Sequence, residues 1–315
     1  MSSVRAELSM KELGVYFNHD TCRFESRSVQ HVLENVGKVR KPLSVILQVT
    51  RRCNFSCVFC SETQYIPDPT IDELRNMRDH LEGVPRVYLS GGEPTVRKDL
   101  LEILDLFRGE FIVGLPTNAS IHSRMTPALK ERISFANVGL DGPRSVTSRI
   151  RGDYDAIMWG IKKAKALGIP ISLSCVILTS TTEAVPFVCQ IADVLEARKV
   201  KLILPIPKGN ALKLPEEEYL TGEQAKEVFE KAIELKEKYN WKPKITLTTW
   251  TPEVEGYSIL VYPNGNAYAW PVYDQDDRVL PLGNLIEEPI EVIWERDPYK
   301  ANHLRKYLGQ SILVS

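Results

Sequence analysis

Long hydrophobic stretches are absent from this sequence. No run of about 18 or more apolar residues occurs, and the polar N-terminus lacks the apolar segment of a secretory signal peptide. An excess of charge is also missing, since 40 basic residues stand against 41 acidic ones and the formal net charge is −1. These features argue against a membrane protein and give no electrostatic reason to expect a nucleic acid or an anionic membrane as partner. We expect a cytoplasmic protein.

Cysteine is scarce and unevenly distributed. The chain has six cysteines in 315 residues, three of them within the eight-residue segment Cys53–Cys60, and none after Cys189. A reducing cytoplasm suits this distribution, because clustered thiols there serve as metal ligands rather than in disulfides. The other three are isolated, and we expect each to be a small buried hydrophobe or a free thiol: Cys22, Cys175 and Cys189.

The middle of the chain alternates apolar β-type runs with amphipathic helical segments. Six strands are predicted, at 43–49, 86–90, 111–116, 134–140, 171–178 and 200–206. Six helices are predicted, at 71–82, 100–108, 127–132, 154–167, 183–197 and 221–239. Near-continuous apolar strands alternating with helices indicate an α/β protein with a parallel sheet covered by helices. Six units are two short of a closed eight-fold barrel, so we predict a partial (β/α)6 TIM-like barrel.

The composition divides the chain into three parts. Residues 1–42 are mixed and polar, and we predict an N-terminal extension packed on the main domain, with a short helix around 28–33. Residues 43–240 form the predicted barrel core. Residues 241–315 are predicted as a small C-terminal α+β cap, because Asn264-Gly265 between two alternating apolar runs is a strong hairpin signal.

The three clustered cysteines have the spacing C-x3-C-x2-C and follow the first predicted strand directly. Close thiolates favour a soft metal centre such as zinc, copper(I) or an iron–sulfur cluster. A structural zinc site normally closes with four ligands, and no nearby His or Cys supplies a fourth. Three ligands would leave one iron of a four-iron cluster open to a cofactor. A partial zinc knuckle, or core cysteines that merely cluster, are the alternatives.

A second motif, Gly91-Gly92-Glu93-Pro94, ends the second predicted strand. Glycines let a backbone approach a ligand closely, and proline stiffens the exit from the turn. The alternative is a strand-to-helix turn that needs glycine for its geometry alone. In parallel β/α folds, functional residues gather at the C-terminal ends of the strands, where both motifs fall.

The two motifs, in this order and each at a strand end, resemble the signature of the radical S-adenosylmethionine (radical SAM) superfamily. The resemblance covers residues 43–210 well and the C-terminal quarter more loosely. It implies a six-fold partial barrel. It also implies one 4Fe-4S cluster held by Cys53, Cys57 and Cys60, with S-adenosyl-L-methionine bound at the open iron.

The same resemblance implies the residues that contact S-adenosylmethionine. Phe59 is expected near the adenine, the Gly91–Glu93 segment at the methionyl ammonium, and Pro205 in the adenine pocket. The full expected set is Phe59, Gly91, Gly92, Glu93, Thr117, Asn118, Arg151, Ser174 and Pro205. The sequence departs from the family pattern at Gly139, where a serine is usual, and we expect Thr117, Asn118 or Ser174 to compensate for the missing hydroxyl.

The C-terminal segment resembles the SPASM/twitch extension of one branch of the superfamily, in its hairpin at 261–265 and its turn at 282–285. Trp270 stands where the first cysteine of that extension is expected. A cap without cysteines cannot hold cysteine-ligated auxiliary clusters. Its aromatic residues are predicted either to close the barrel mouth against a ring-bearing substrate or to fill space: Tyr262, Tyr268, Trp270 and Tyr273.

The function implied by the resemblance is reductive cleavage of S-adenosylmethionine to a 5′-deoxyadenosyl radical, which abstracts a hydrogen atom from a substrate. We expect the substrate to be a small polar metabolite, such as a sugar, nucleoside or cofactor precursor, in a biosynthetic pathway. A flavodoxin or ferredoxin is the expected electron donor. A ribosomally made peptide is the alternative substrate, and a non-catalytic iron–sulfur or zinc protein is the alternative of another class. The sequence assigns no further catalytic side chain.

Overall fold

The structure, a computed structural model, describes residues 15–18, 23–26, 40–249, 258–270, 272, 279–298 and 312–314. The helix predicted around 28–33 lies outside these residues, as do Cys22 and Tyr273. The described part of the N-terminal extension contributes two strands to a small sheet. In it β1 (Val15–Asn18) pairs antiparallel with β2 (Arg23–Ser26), and β2 pairs parallel with β13 (Ile312–Val314).

A ten-stranded sheet forms the body of the protein. Seven strands lie side by side in chain order, all parallel: β3 (Ser44–Thr50), β4 (Arg86–Gly91), β5 (Ile112–Thr117), β6 (Phe135–Gly139), β7 (Ile171–Val176), β8 (Lys199–Ile203) and β9 (Lys244–Thr248). Beyond β3 lie β10 (Ser258–Val261), parallel to it, and then β11 (Asn266–Ala269) and β12 (Gly283–Asn284), which are antiparallel. The predicted α/β class with an open parallel sheet is confirmed.

Eight helices are described. They are α1 (Ile71–Asp79), α2 (Leu100–Phe107), α3 (Pro127–Lys130), α4 (Arg144–Ile150), α5 (Tyr154–Ala166), α6 (Val185–Val194), α7 (Gly222–Tyr239) and α8 (Ile290–Glu295). The starts of α1 and α7 follow local sequence, because Thr70 and Thr221 each form a capping box with the residue three positions on. Sequence patterning missed α4, which lacks a side-chain cap. Among the described residues, no helix is long and apolar enough to cross a membrane.

The hydrophobic core lies between the sheet and the helices. On β3 the side chains of Val45, Leu47 and Val49 are fully buried and share one cluster with Leu74 and Met77 of α1. Full burial of each such side chain contributes roughly 1.5–3 kcal/mol. Alternate strand residues face the opposite side of the sheet, which is the inside of the barrel. The core therefore stabilises the helix-covered face and leaves the inner face to a different set of residues.

The run of parallel strands is two strands longer than the sequence predicted, with β10 added at one side and β9 at the other. β9 pairs along its whole length with β8, although its residues were assigned to the C-terminal cap. A second strand of that segment, β10, pairs with β3 at the other side of the run. The prediction that the barrel strands end before residue 241 is corrected in this respect. The physical reason is that α7 returns the chain to the sheet edge, where β8 would otherwise leave its backbone groups without a strand partner.

Candidate cofactor site

The loop after β3, which we call the cysteine loop (residues 51–62), is held by backbone contacts from distant parts of the chain. The amide of Val58 donates to the carbonyl of Ile150, at 2.9 Å. Asn210, beyond the end of β8, donates its backbone amide to the Cys60 carbonyl at 2.8 Å and its Nδ2 to the Cys57 carbonyl at 3.1 Å. Sequence analysis missed Asn210, and only its place just after a strand end could have signalled it.

A second set of contacts fixes the start of the cysteine loop. Asn118 donates from Nδ2 to the Asn54 side-chain oxygen at 3.0 Å, and Asn54 donates from Nδ2 to Oγ of Ser120 at 2.8 Å. Asn118, predicted to bind cofactor, therefore also supports the loop that carries the three cysteines. The hydrogen bonds connect the ends of β3 and β5 across β4.

The three thiols of Cys53, Cys57 and Cys60 are free and line one cavity of about 570 Å³. Burial raises the pKa of all three, that of Cys57 to about 12, while the charge of Arg151 acts to lower the pKa of Cys57 and Cys60. Thiols in this setting need a cation to become thiolates. They do not converge on a point that would hold a single metal ion. A four-iron cluster fits such a donor set, because each thiolate binds a different iron.

The two glycines of the second motif lie against the end of β3. The amide of Gly92 donates to the Thr50 carbonyl at 2.9 Å, and the Glu93 amide donates to the Arg52 carbonyl at 2.9 Å. A Cβ on Gly91 would overlap the Thr50 carbonyl, and Gly91 has a φ of +149°, which side-chain-bearing residues rarely adopt. Both glycines also line the cavity. Close backbone packing thus explains the residue type, and the motif still faces the cavity.

Glu93 lies behind the cavity wall and not in its lining. Its carboxylate is 1% exposed and accepts hydrogen bonds from Thr95, from Oγ1 of Thr117 at 2.7 Å and from the Asn118 amide at 2.6 Å. Burial raises the pKa of Glu93, although these hydrogen bonds act to lower it. The carboxylate therefore fixes Thr117 and Asn118, which do line the cavity. The contact of the Gly91–Glu93 segment with the methionyl ammonium stays a prediction, in which the buried Glu93 carboxylate itself does not line the cavity.

Arg151 fills the space that opens at Gly139. A Cβ on Gly139 would overlap the Arg151 guanidinium, so a serine could not stand there without displacing it. The guanidinium makes two hydrogen bonds to the fully buried Asp141, at 2.6 and 2.9 Å, and lies 5.0 Å from the Phe59 ring centre. Burial alone would lower the pKa of Arg151, but Asp141 raises it above its ordinary value. The Arg151 guanidinium thus occupies the place that a side chain at residue 139 would take, and compensation by Thr117, Asn118 or Ser174 stays a prediction.

The two arginines before the cysteines have different surroundings. Arg51 is buried, faces the cavity and pairs with Glu62 at 3.2 Å. Glu62 also pairs with the buried Lys208 at 3.4 Å, and Lys208 contacts the hydroxyl of Tyr262 at 2.7 Å. Arg52 is exposed and pairs with Asp68. Of these two arginines, Arg51 is the one placed to act on a ligand in the cavity.

The remaining predicted residues divide between cavity and core. Ser174 and Pro205 line the cavity, and Ser174 donates to the Asn137 side chain at 2.9 Å. Of the aromatic residues of the C-terminal segment, Tyr262 and Tyr268 are buried in a core cluster, while the half-buried Trp270 lines the cavity. Trp270 is therefore the described aromatic residue of that segment that can meet a ligand.

Residues 47–186, which contain both motifs and the Arg151–Asp141 pair, match the model of the radical SAM superfamily. Solved structures with this fold include SuiB of Streptococcus suis bound to its precursor peptide, with a TM-score of 0.73, 12% identity and coverage of 87% of this chain and 72% of that one. Another is native anSMEcpe with bound AdoMet, with a TM-score of 0.67, 15% identity and 82% coverage of both chains. Residues 47–186 thus form a radical SAM domain, for which a 4Fe-4S cluster and S-adenosylmethionine are the expected cofactors.

Curated relatives match over part of the chain. An Fe-coproporphyrin III synthase of Methanosarcina barkeri is 31% identical over 191 residues, 57% of this chain and 47% of that protein. A probable GTP 3′,8-cyclase of Methanopyrus kandleri is 34% identical over 182 residues, 53% of this chain and 58% of that protein. The chain thus spans about half the length of the curated relatives it matches.

Proposed function

We propose that this protein is a radical SAM enzyme that acts on a small polar metabolite in a biosynthetic pathway. The observation that carries the proposal is the convergence of Cys53, Cys57 and Cys60 with Gly91 and Gly92 on one cavity of about 570 Å³. The reduced cluster would supply one electron that cleaves S-adenosylmethionine to a 5′-deoxyadenosyl radical, the species that removes a hydrogen atom from substrate. A flavodoxin or ferredoxin would supply the electron.

The chain's own residues would bind and orient the cofactor. Three thiolates hold the cluster, and Thr117 and Asn118 present polar atoms beside it, fixed by Glu93. Phe59, Pro205 and other apolar side chains form the wall that would take the adenine and exclude water. The Arg151–Asp141 pair supports the opposite wall and places positive charge near the thiolates.

Two relatives favour a small-molecule substrate, because their names, Fe-coproporphyrin III synthase and probable GTP 3′,8-cyclase, each include a small molecule. The alternative is a peptide substrate, and the fold similarity to SuiB in its complex with a precursor peptide is the observation that favours it. The C-terminal segment has no cysteine. It therefore cannot hold a cysteine-ligated auxiliary cluster that would accept an electron from the substrate radical. For this reason we expect a redox-neutral reaction, or one that returns the electron to the single cluster.

Anaerobic reconstitution tests this function directly. Protein loaded with iron and sulfide, then given S-adenosylmethionine and a chemical reductant, should form 5′-deoxyadenosine, detected by chromatography. Formation of 5′-deoxyadenosine separates an enzyme from a non-catalytic iron–sulfur or zinc protein. A fully loaded, reduced preparation that leaves S-adenosylmethionine intact would contradict the proposal.

A further inference from the structure

A second cavity of about 280 Å³ lies inside the barrel, below the one that holds the cysteines. The two share several lining residues, among them Ser90, Asn137 and Trp270, so the second cavity continues the first toward the floor of the barrel. Small-molecule sites in proteins are commonly about 300–1,000 Å³. A ligand that reaches from this floor toward the cysteines would therefore have the size of a small metabolite.

The inner face of the sheet is polar along this second cavity. In filled TIM barrels the inward positions are mostly branched apolar residues. Here β8 alternates Lys199 and Lys201, which line the cavity, with Val200 and Leu202, which are fully buried in the helix-covered core. The same alternation places the following polar residues in the lining: Gln48, Arg86, Ser172, Thr246, Thr248 and Ser258. A barrel whose interior is only a packed core of side chains would not place these polar residues inward.

The charges in the described lining are mostly positive. Arg86, Lys199 and Lys201 are its cations and Glu62 is its one carboxylate. Glu62 already contacts two further cations from outside this lining, Arg51 at 3.2 Å and Lys208 at 3.4 Å. Burial lowers the pKa of Lys201, and the nearby charge of Arg86 lowers it as well, although Tyr88 acts to raise it. Two like charges, those of Arg86 and Lys201, thus line the same cavity.

Two buried polar atoms of the lining add a second observation. Oγ1 of Thr246 and Oε1 of Gln48 have no hydrogen-bond partner among the described residues, and both residues are 5% exposed or less. An unsatisfied buried hydroxyl or amide oxygen costs stability, so such groups commonly meet a ligand or an ordered water. Thr246 lies on β9, opposite Lys201 on β8, since these two residues pair in the sheet register.

We propose that this floor binds an anionic group, a phosphate or a carboxylate, of a small substrate whose other end reaches the cysteine cavity. The inference deepens the proposed function and rests on it, because it takes the ligand to be the substrate of the same enzyme. Lys201 and Arg86 would contact the anion, and Thr246 would donate its hydroxyl. The aromatic side chains of Tyr88, Phe135 and Trp270 would form the sides of the path upward.

The test is isothermal titration calorimetry on cluster-loaded protein that is saturated with S-adenosylmethionine in the absence of reductant. Inorganic phosphate and succinate are titrated separately, and the one that binds identifies the anion. Lys201→Met, which removes the charge at similar volume, should weaken that binding about tenfold or more, as loss of a charge-assisted hydrogen bond does. Lys163→Met, on the exposed side of α5, is the matched control and should bind as wild type does.

A second variant protects the test against misfolding. Thr246→Val keeps the shape and removes the hydroxyl, and it should weaken anion binding without lowering the melting temperature. Wild-type protein that binds neither probe would overturn the inference, as would unchanged binding in both Lys201→Met and Thr246→Val. The same preparations are assayed for 5′-deoxyadenosine. Cleavage of S-adenosylmethionine without anion binding would contradict this inference alone. Anion binding without cleavage would contradict the proposed function and would support the anion site.

Discussion

The two cavities of this barrel differ in how they are built. The upper cavity is the one of about 570 Å³ that contains the cysteines, and the lower cavity is the second one, of about 280 Å³. The upper cavity is lined mainly by residues at strand ends and in loops, such as Cys57, Gly92 and Asn118, which distant backbone contacts hold in place. The lower one is lined mainly by side chains within strands, such as Arg86 and Lys201, whose positions follow from sheet register. The loop residues of the upper cavity form short contiguous motifs in the sequence. The strand residues of the lower cavity are detectable only as an alternation of polar and apolar residues, so the two cavities differ in how they can be recognised from sequence.

The comparison predicts that the cysteines serve the upper cavity alone, and their removal should have the largest effect. Cys57→Ala should lose the visible absorbance of the cluster and all 5′-deoxyadenosine formation, because a four-iron cluster held by three thiolates cannot easily lose one. Wild type should hold about four irons per chain. Iron analysis, visible spectroscopy and chromatography measure these outcomes, and phosphate or succinate binding on the floor should persist.

Cys189→Ala is the control for this prediction. Cys189 is buried on α6, outside both cavity linings, so its removal should leave iron content and cleavage unchanged. A Cys57→Ala protein that still produced 5′-deoxyadenosine would contradict the assignment. About eight irons in wild type, with a paramagnetic signal that survives loss of all three clustered cysteines, would show a second cluster.

Much of the upper cavity could be predicted from sequence, because motif and strand end coincide. The cysteine spacing and Gly91-Gly92 fall where parallel strands end, and chain order alone placed them on one edge of the sheet. The contact between Gly139 and Arg151 could not be predicted, since it depends on the path of the chain through α4, which sequence patterning missed. The sequence predicts Glu93 as a cofactor-binding residue, but it does not show that the carboxylate is buried and bonded to Thr117 and Asn118.

The lower cavity was missed for a different reason. The apolar run at 200–206 predicts a near-continuous apolar strand, a prediction that does not account for the Lys-Val-Lys-Leu alternation at 199–202. The composition after Tyr239 and the Asn264-Gly265 hairpin signal predict that β9 belongs to the cap. Thr246 faces Lys201 only because β9 joins the parallel run. Alternation reveals a polar inner face, but topology decides which strands share it.

The second prediction concerns the wall of the upper cavity. Arg151→Met removes one partner of an ion pair whose carboxylate, Asp141, is fully buried. Leaving such a charge uncompensated should lower the free energy of unfolding by about 3–5 kcal/mol. Arg149→Met, two residues away on the exposed surface, should change it by about 0.5 kcal/mol or less. Chemical denaturation measures both, and equal effects would show that the Arg151–Asp141 pair contributes no stability.

The third prediction uses two aromatic residues on either side of the boundary between core and cavity. Tyr268 is 4% exposed in the core cluster, and Tyr268→Ala should cost about 3–5 kcal/mol, as truncation of a buried aromatic does. Trp270 lines both cavities, so Trp270→Ala should cost clearly less and should instead weaken anion binding or substrate turnover. Thermal melts beside the calorimetric titration measure this. An equal loss of stability in both variants would place Trp270 in the core.

The smallest expected effect is a dependence of stability on pH that belongs to the lower cavity. Burial lowers the pKa of Lys201 below its ordinary value of 10.5, so between the folded pKa and 10.5 the unfolded chain binds more protons than the folded one. Stability contributed by this group therefore rises as pH rises through that window. The free energy of unfolding of wild type, relative to Lys201→Met, should increase from pH 7 toward pH 10. Denaturant titrations across this range measure the difference, in which the contributions of other ionising groups cancel.

Saturating the floor of the lower cavity with the anion that it binds should flatten this dependence on pH, because a bound anion stabilises the charged lysine in the folded state. A difference that stays constant with pH, or falls, would contradict the placement of a cationic Lys201 in an enclosed cavity.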